Sequence, residues 1–396
     1  MEQWRRNIYV LWLAVFISAI CWTMVMPFTP LYLEQLGVSH SAELWSGIII
    51  SASAVCNMLM SPVWGAVGDR YGRRLMMLRA GLFLAVGYVL TALVTGPNSL
   101  LLVRMLIGGL TGFVPMAIAL VGVSTPQQEV GKALGLVQTA WPAGAIIGPV
   151  VGGAAADWIG IRGSAWASAV MIAVVTAMVM LMVKEEFAPP PANRQNILAD
   201  LKVAASHQVL MVIVLITAAS QASIMALEPV LVPFVKQIAG VNAPGWLSGL
   251  LFSIPGVAFV LMTPWWSRRG AKIGYVQTIA TGMLGSGLLY LCQTFVTGPW
   301  QLGGLRLVSG VAGAAIGPGV AVLLATAVPR ELRGRAFGLN QAASSLGSVV
   351  GPLLGGFIGS YIATRGVFVL TAVIYFAGWV WVKRVVEPRV QMAAAS

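Results

Sequence analysis

Charge is scarce in this chain: Asp, Glu, Lys and Arg make up 9% of its 396 residues, against about 25% in a soluble domain. Acid is scarcer still, with 12 carboxylates, and there are only two histidines and three cysteines. With 58% apolar residues and a mean hydropathy of +0.86, a water-soluble fold is excluded. Cys21, Cys56 and Cys292 sit in apolar segments, and His40 and His207 fall near loops. Their spacing matches neither a zinc site nor a disulfide framework, so no metal is expected. No G-x-x-x-x-G-K-[ST] phosphate loop occurs, which argues against a direct ATPase. The lack of His or Cys-His groupings at membrane depth argues against an enzyme, and the lack of a sizeable soluble domain against a receptor.

What the chain does have is long apolar runs. A helix crosses a hydrocarbon core of about 30 Å with about 20 apolar residues. The sequence divides into twelve such segments, near 8–33, 45–67, 75–95, 99–122, 134–157, 164–183, 208–235, 246–266, 274–296, 300–327, 336–361 and 366–382. They are about twice too long for barrel strands and do not alternate polar with apolar residues. The first is also too long for a signal peptide and is read as a retained helix. The expectation is an all-α integral membrane protein with twelve transmembrane helices.

The net charge of +12 follows topology. With the N-terminus in the cytoplasm, 19 of 24 basic residues fall on the inner side, and only Arg162, Lys236 and Arg365 lie outside. Arg104 and Arg306 remain within the membrane. This is the positive-inside asymmetry. It places both termini in the cytoplasm and argues against nucleic acid as a partner.

The chain is internally duplicated. Gly144 to Gly153 (GAIIGPVVGG) returns as Gly347 to Gly356 (GSVVGPLLGG), 203 residues later. Ser46-Gly47 aligns with Ser248-Gly249, Pro62 with Pro264, Arg104 with Arg306 and Gly108 with Gly310, each at an offset of 202. Residues 131–170 and 334–373 share 16 identities in 40 without a gap. Between the halves, 184–207 carries Pro189-Pro190-Pro191 and several charges. The domains expected are a six-helix bundle at 1–183, a cytoplasmic linker at 184–207 and a pseudo-symmetric six-helix bundle at 208–396. Six spans per half give both halves one orientation, an arrangement of parallel repeats about an axis along the membrane normal.

Three motifs carry a resemblance to a known family. Gly65-Ala-Val-Gly-Asp69-Arg70-Tyr-Gly72-Arg73-Arg74 resembles the loop signature G-x-x-x-D-R-x-G-R-R of the major facilitator superfamily, which lies between its second and third helices. Asp69 can pair with a nearby Arg or face a helix N-terminus, a charge lock that releases during inward opening. In the second half, Ala271 stands where Asp69 would recur. Leu101-Leu-Val-Arg104-Met-Leu-Ile-Gly108 is similar to the family's buried-arginine motif. Gly144, Gly148, Pro149, Gly152 and Gly153 resemble the helix-five signature of the drug:proton antiporter branch. Its small residues form a stripe against which a neighbouring helix can pack and pivot, and its proline can bend the helix. The opening segment Val25 to Gly37 and Gly112 to Pro115 resemble the MdtG and PmrA type of bacterial multidrug efflux pump. The resemblance covers essentially the whole chain.

Glu228 is the one acidic residue placed inside an apolar segment, and an intramembrane carboxyl is a functional candidate by default. It is expected to carry the proton, with Arg104 as a second coupling residue, and to attract cationic substrates when ionised. Pairing with an arginine, or capping a break at Pro229, is the alternative role. Walls of a substrate cavity are assigned to Trp22, Met26, Met116, Gln138, Trp141, Gln221, Met225, Asn340 and Gln341. Aromatic and Met side chains adapt to varied apolar shapes, and a few amides offer hydrogen bonds.

The resemblance implies a proton-coupled secondary transporter of the bacterial cytoplasmic membrane. It is expected to export small amphipathic drugs or toxic metabolites by alternating access, as a monomer, without a cofactor and powered by the proton gradient. A transporter of one metabolite, sugar or lipid is the alternative.

Overall fold

The structure, a computed structural model, describes residues 2–38, 40–185, 208–326 and 333–388. Among them every regular element is helical. The order is α1 (Gln3–Val25), a 3-10 turn (Met26–Phe28), α2 (Thr29–Gln35), α3 (Ala42–Tyr71), α4 (Arg73–Leu93), α5 (Pro97–Leu110), α6 (Phe113–Ser124), α7 (Val130–Gln138) and α8 (Ala140–Met182). Then come α9 (Gln208–Ala226), α10 (Leu231–Ala239), α11 (Gly245–Ile273), α12 (Tyr275–Gln293), α13 (Pro299–Gly313), α14 (Ile316–Thr326), α15 (Arg333–Tyr361) and α16 (Gly366–Trp381), closed by a π turn at Val382–Val386. Among the described residues nine helices are long and apolar enough to cross a bilayer, or ten with α9 and α10 taken as one span bent by 43°.

Several expected spans are interrupted, for reasons visible in their residues. Pro27 and Pro30 lack the N–H groups a continuous helix needs, and the first span passes through the 3-10 turn before α2. Gly112 (φ 119°) separates α5 from α6 in a left-handed conformation that a side chain would strain. The runs expected at 134–157 and 164–183 form one helical stretch, α8, inside which Gly160 has φ 73° and ψ 168°.

The chain divides into two compact units, Met1–Ala192 with Ala243–Ser253, and Asn193–Asn242 with Ile254–Ser396. Residues 243–253 thus group with the first unit, although chain order puts them in the second half. Of the linker expected at 184–207, residues 186–207 lie outside the described residues.

In the first unit α1 and α4 both lie along α8, and α3 lies along α5. Leu11, Val15, Met77, Leu120, Val137 and Val179 belong to its core. In the second unit α9 lies along α15, and α12 along α16 and α13. The duplication is visible in single hydrogen bonds. Trp64 Nε1 donates to the Gly109 carbonyl at 2.6 Å, and Trp266 Nε1 to the Val311 carbonyl at 2.7 Å. Arg162 donates to the carbonyl of Val94, and its counterpart Arg365 to those of Thr294 and Val296. Large apolar side chains such as Leu82 and Leu181 point outward, as lipid contact requires. Trp158 and Trp300 stand exposed, in keeping with the aromatic belts of membrane proteins.

Candidate functional site

The charged motif expected between helices is itself helical, up to Tyr71 in α3 and again from Arg73 in α4, and only Gly72 lies between them, with a φ of 99° that suits a residue without Cβ. Asp69 on α3 pairs with Arg73 on α4 at 2.7 Å across the Gly72 break, and the Arg70 guanidinium lies over the Tyr71 ring. Gly65 faces open space. Helix α4 has no capping side chain of its own at Gly72. Glu185, just beyond the end of α8, supplies one: its carboxylate accepts the backbone N–H of Arg73 at 3.0 Å and of Arg74 at 2.8 Å. Arg74 in turn donates to the Met180 carbonyl at 2.6 Å. The two ends are thereby tied across more than a hundred residues of chain.

The repeated glycine motif packs helix backbone on helix backbone in both units. A Cβ at Gly144 would overlap the Phe16 carbonyl oxygen, at Gly148 the Thr23 hydroxyl, and at Gly152 the Met24 carbonyl. All three face α1. In the second unit Gly347, Gly351 and Gly355 meet the carbonyls of Ala218, Ala222 and Ala226 on α9 in the same way. Gly153 instead meets the backbone of Gly245, and Pro149 that of Gly249. One turn beyond Gly153, the Asp157 carboxylate accepts the N–H of Gly245 at 2.8 Å and of Trp246 at 3.3 Å. Those are the first residues of α11, so the carboxylate caps that helix.

Both membrane-depth arginines are buried among protein side chains, Arg104 to 1% exposure. The electrostatic neighbours of Arg104 are Tyr88 and Tyr32, and that of Arg306 is Tyr290, the counterpart of Tyr88. Tyr290 stacks on Tyr375, with ring centroids 5.7 Å apart. Glu228 stands in the turn between α9 and α10, at 7% exposure and without an ion pair among the described residues.

In the first unit, Trp22 is half-buried on α1, Met26 is fully buried in the 3-10 turn, and Gln138 and Trp141 are exposed. Met116 belongs to the core, where its sulfur lies beside Gly68. In the second unit, four of the proposed lining residues gather on one pair of helices. Gln221 and Met225, one turn apart on α9, lie beside Gly347 and Gly351 of the adjoining α15, which also carries Asn340 and Gln341. Gln221 Nε2 donates to Ser348 Oγ at 3.2 Å, and Thr217 Oγ1 to Asn340 Oδ1 at 2.7 Å. Gln341 is exposed.

The Major Facilitator Superfamily family model matches residues 11–269 and again 213–395. The chain belongs to the major facilitator superfamily. The two overlapping matches together cover nearly all of it. The chain is similar to multidrug resistance protein MdtG of Citrobacter koseri, with 36% identity over 387 residues, covering 96% of this chain and 95% of that protein. It is likewise similar to MdtG of Enterobacter lignolyticus, with 34% identity over 379 residues and coverages of 94% and 90%. Among solved structures, a bacterial homologue of the human lysosomal transporter Spinster superposes with a TM-score of 0.81 at 14% identity, covering 96% of this chain and 97% of that one. The nucleoside transporter NupG gives 0.80 at 14% identity, with coverages of 95% and 99%. These two likenesses show the major facilitator fold.

Sequence reasoning missed Glu185 and Asp157 as structural carboxylates of this superfamily member, because both bind backbone N–H groups remote in sequence. The signal for Glu185 was indirect: α4 starts on Gly-Arg-Arg with no Ser, Thr, Asp or Asn to cap it.

Proposed function

We propose that this major facilitator protein exports amphipathic, preferably cationic, compounds from a bacterial cell in exchange for protons, with Glu228 as the proton carrier. The observation that carries this reading is a single buried carboxyl without an ion pair among the described residues, in a broken membrane helix that also carries Gln221 and Met225. A carboxyl so placed can be neutral on one side of a transport cycle and ionised on the other. The full-length likeness to multidrug resistance proteins supports the cargo class. Each proton moving inward contributes about 2.3 kcal/mol per 100 mV of membrane potential, so a gradient alone can power export.

The reading includes twelve crossings with both termini in the cytoplasm of a bacterial inner membrane. In its support, α8 has 43 residues, which at 1.5 Å per residue is roughly twice the thickness of the hydrocarbon core. Gly160 divides it into two lengths that each suffice. The α9–α10 pair adds one bent span and α12 a short one. The excess of Lys and Arg on one side supports the orientation. Addition of a lipophilic cation to acid-loaded inside-out vesicles is expected to release protons from the lumen. No release across a broad panel of amphipathic compounds would overturn the antiport reading.

A further inference from the structure

The break that carries Glu228 is duplicated. Met26-Pro27 in the first unit and Glu228-Pro229 in the second stand 202 residues apart. At both places a membrane helix ends, turns and resumes. The third glycine of each repeated motif touches the carbonyl of the last helical residues before the turn. Gly152 meets Met24, two residues before Met26, and Gly355 meets Ala226, two residues before Glu228. The three atoms that a Cβ at Gly355 would meet first are all backbone atoms of Ala226, so no rotamer change could relieve the collision.

At both breaks the backbone tightens. In the first, the Thr29 hydroxyl donates to the Met26 carbonyl at 2.7 Å. Three-residue steps occur at both, in the 3-10 turn Met26–Phe28 of the first and, in the second, where Leu227 N donates to Ile224 O at 3.4 Å and Glu228 N to Met225 O at 3.2 Å. Pro229 supplies no N–H. The direction in which Glu228 leaves α9 is therefore set by where the helix stops, and that point is pressed on by Gly355.

We propose that Gly355 is a positioning residue for Glu228. By admitting the backbone of α15 against the carbonyl of Ala226, it fixes the last turn of α9 and so the place of the carboxyl that follows. The second copy of the glycine motif then serves proton coupling, while the first copy packs the same way beside a turn with a thioether in place of a carboxyl. This rests on the reading of Glu228 as proton carrier.

The test compares two fluxes in proteoliposomes, using a fluorescent lipophilic cation as probe: accumulation against its gradient under an imposed pH difference, and downhill equilibration without one. Gly355→Ala is expected to lose about tenfold in accumulation, the span of one pH unit, while downhill flux is retained. Pro229→Ala, which restores an N–H and lets the helix run on, is expected to do the same, and it decides alone if the Gly355 variant fails to reach the membrane. Gly152→Ala, at the carboxyl-free break, is expected to lower both fluxes together. Proportional loss of both fluxes in the Gly355 and Pro229 variants, with accumulation abolished in Glu228→Gln, would overturn the positioning role alone. Accumulation that persists in Glu228→Gln would instead refute the proton-carrier reading, and this role with it.

Discussion

The carboxylate of Asp157 accepts the backbone N–H of Gly245 at 2.8 Å, although 88 residues of chain separate them. It holds the first turn of α11 on the helix that carries the glycine motif, where Gly153 and Gly245 leave room for the two backbones to meet. Asp157→Ala removes this cap and its charge at the helix N-terminus, an effect of about 1 kcal/mol. Hydrogen exchange in detergent is expected to speed up at Gly245 to Leu247 and to stay unchanged in α12.

Glu185 does comparable work for α4. Glu185→Ala is expected to lower the thermal unfolding midpoint, and Glu185→Gln, which keeps an acceptor oxygen, to lower it less. Asp69→Ala is expected to leave the midpoint nearly unmoved. Its pair with Arg73 is half-exposed on the Asp side, and exposed pairs contribute about 0.2–1 kcal/mol. If Asp69 belongs to a conformational lock, transport falls in that variant while stability does not.

Glu185 and Asp157 mark the limit of what was legible in the residues. The glycine stripe was readable because small residues at a spacing of four have one geometric use, close helix contact, and the duplication confirmed the register. Glu228 was readable because a carboxyl stands out in an apolar run. That it occupies a turn rather than a helix was signalled only by Pro229, which bends some helices and ends others. Met116, assigned to a cavity wall, packs in the core beside Gly68: side-chain chemistry alone does not tell which face of an all-apolar helix looks inward. Glu185 and Asp157 have no local pattern, since their partners are backbone amides brought near by folding.

Gly148 and Gly122 offer a matched comparison. A Cβ at Gly148 meets the Thr23 hydroxyl and the Ile20 backbone, whereas one at Gly122 meets open space. Gly148→Ala is expected to destabilise by about 1–3 kcal/mol, the usual cost of overpacking. Gly122→Ala is expected to be neutral or slightly stabilising, because alanine is the better helix former. Thermal denaturation followed by fluorescence-detected size exclusion separates the two.

Arg104 is buried beside Tyr88 and Tyr32, and no carboxylate pairs with it among the described residues. Lysine keeps the charge but not the planar fork of donors. Arg104→Lys is therefore expected to reach the membrane and to transport poorly, and drug-susceptibility assays beside an expression blot would reveal normal resistance if the guanidinium were dispensable.

The most direct measurement is the substrate ratio that purified protein sustains in proteoliposomes at a fixed pH difference. One proton per substrate across one pH unit supports about a tenfold ratio, since a unit is worth 1.36 kcal/mol. The account predicts that the unaltered protein builds such a ratio and that Glu228→Gln relaxes to equal concentrations while still exchanging substrate. A Glu228→Gln protein that holds the same ratio would contradict it.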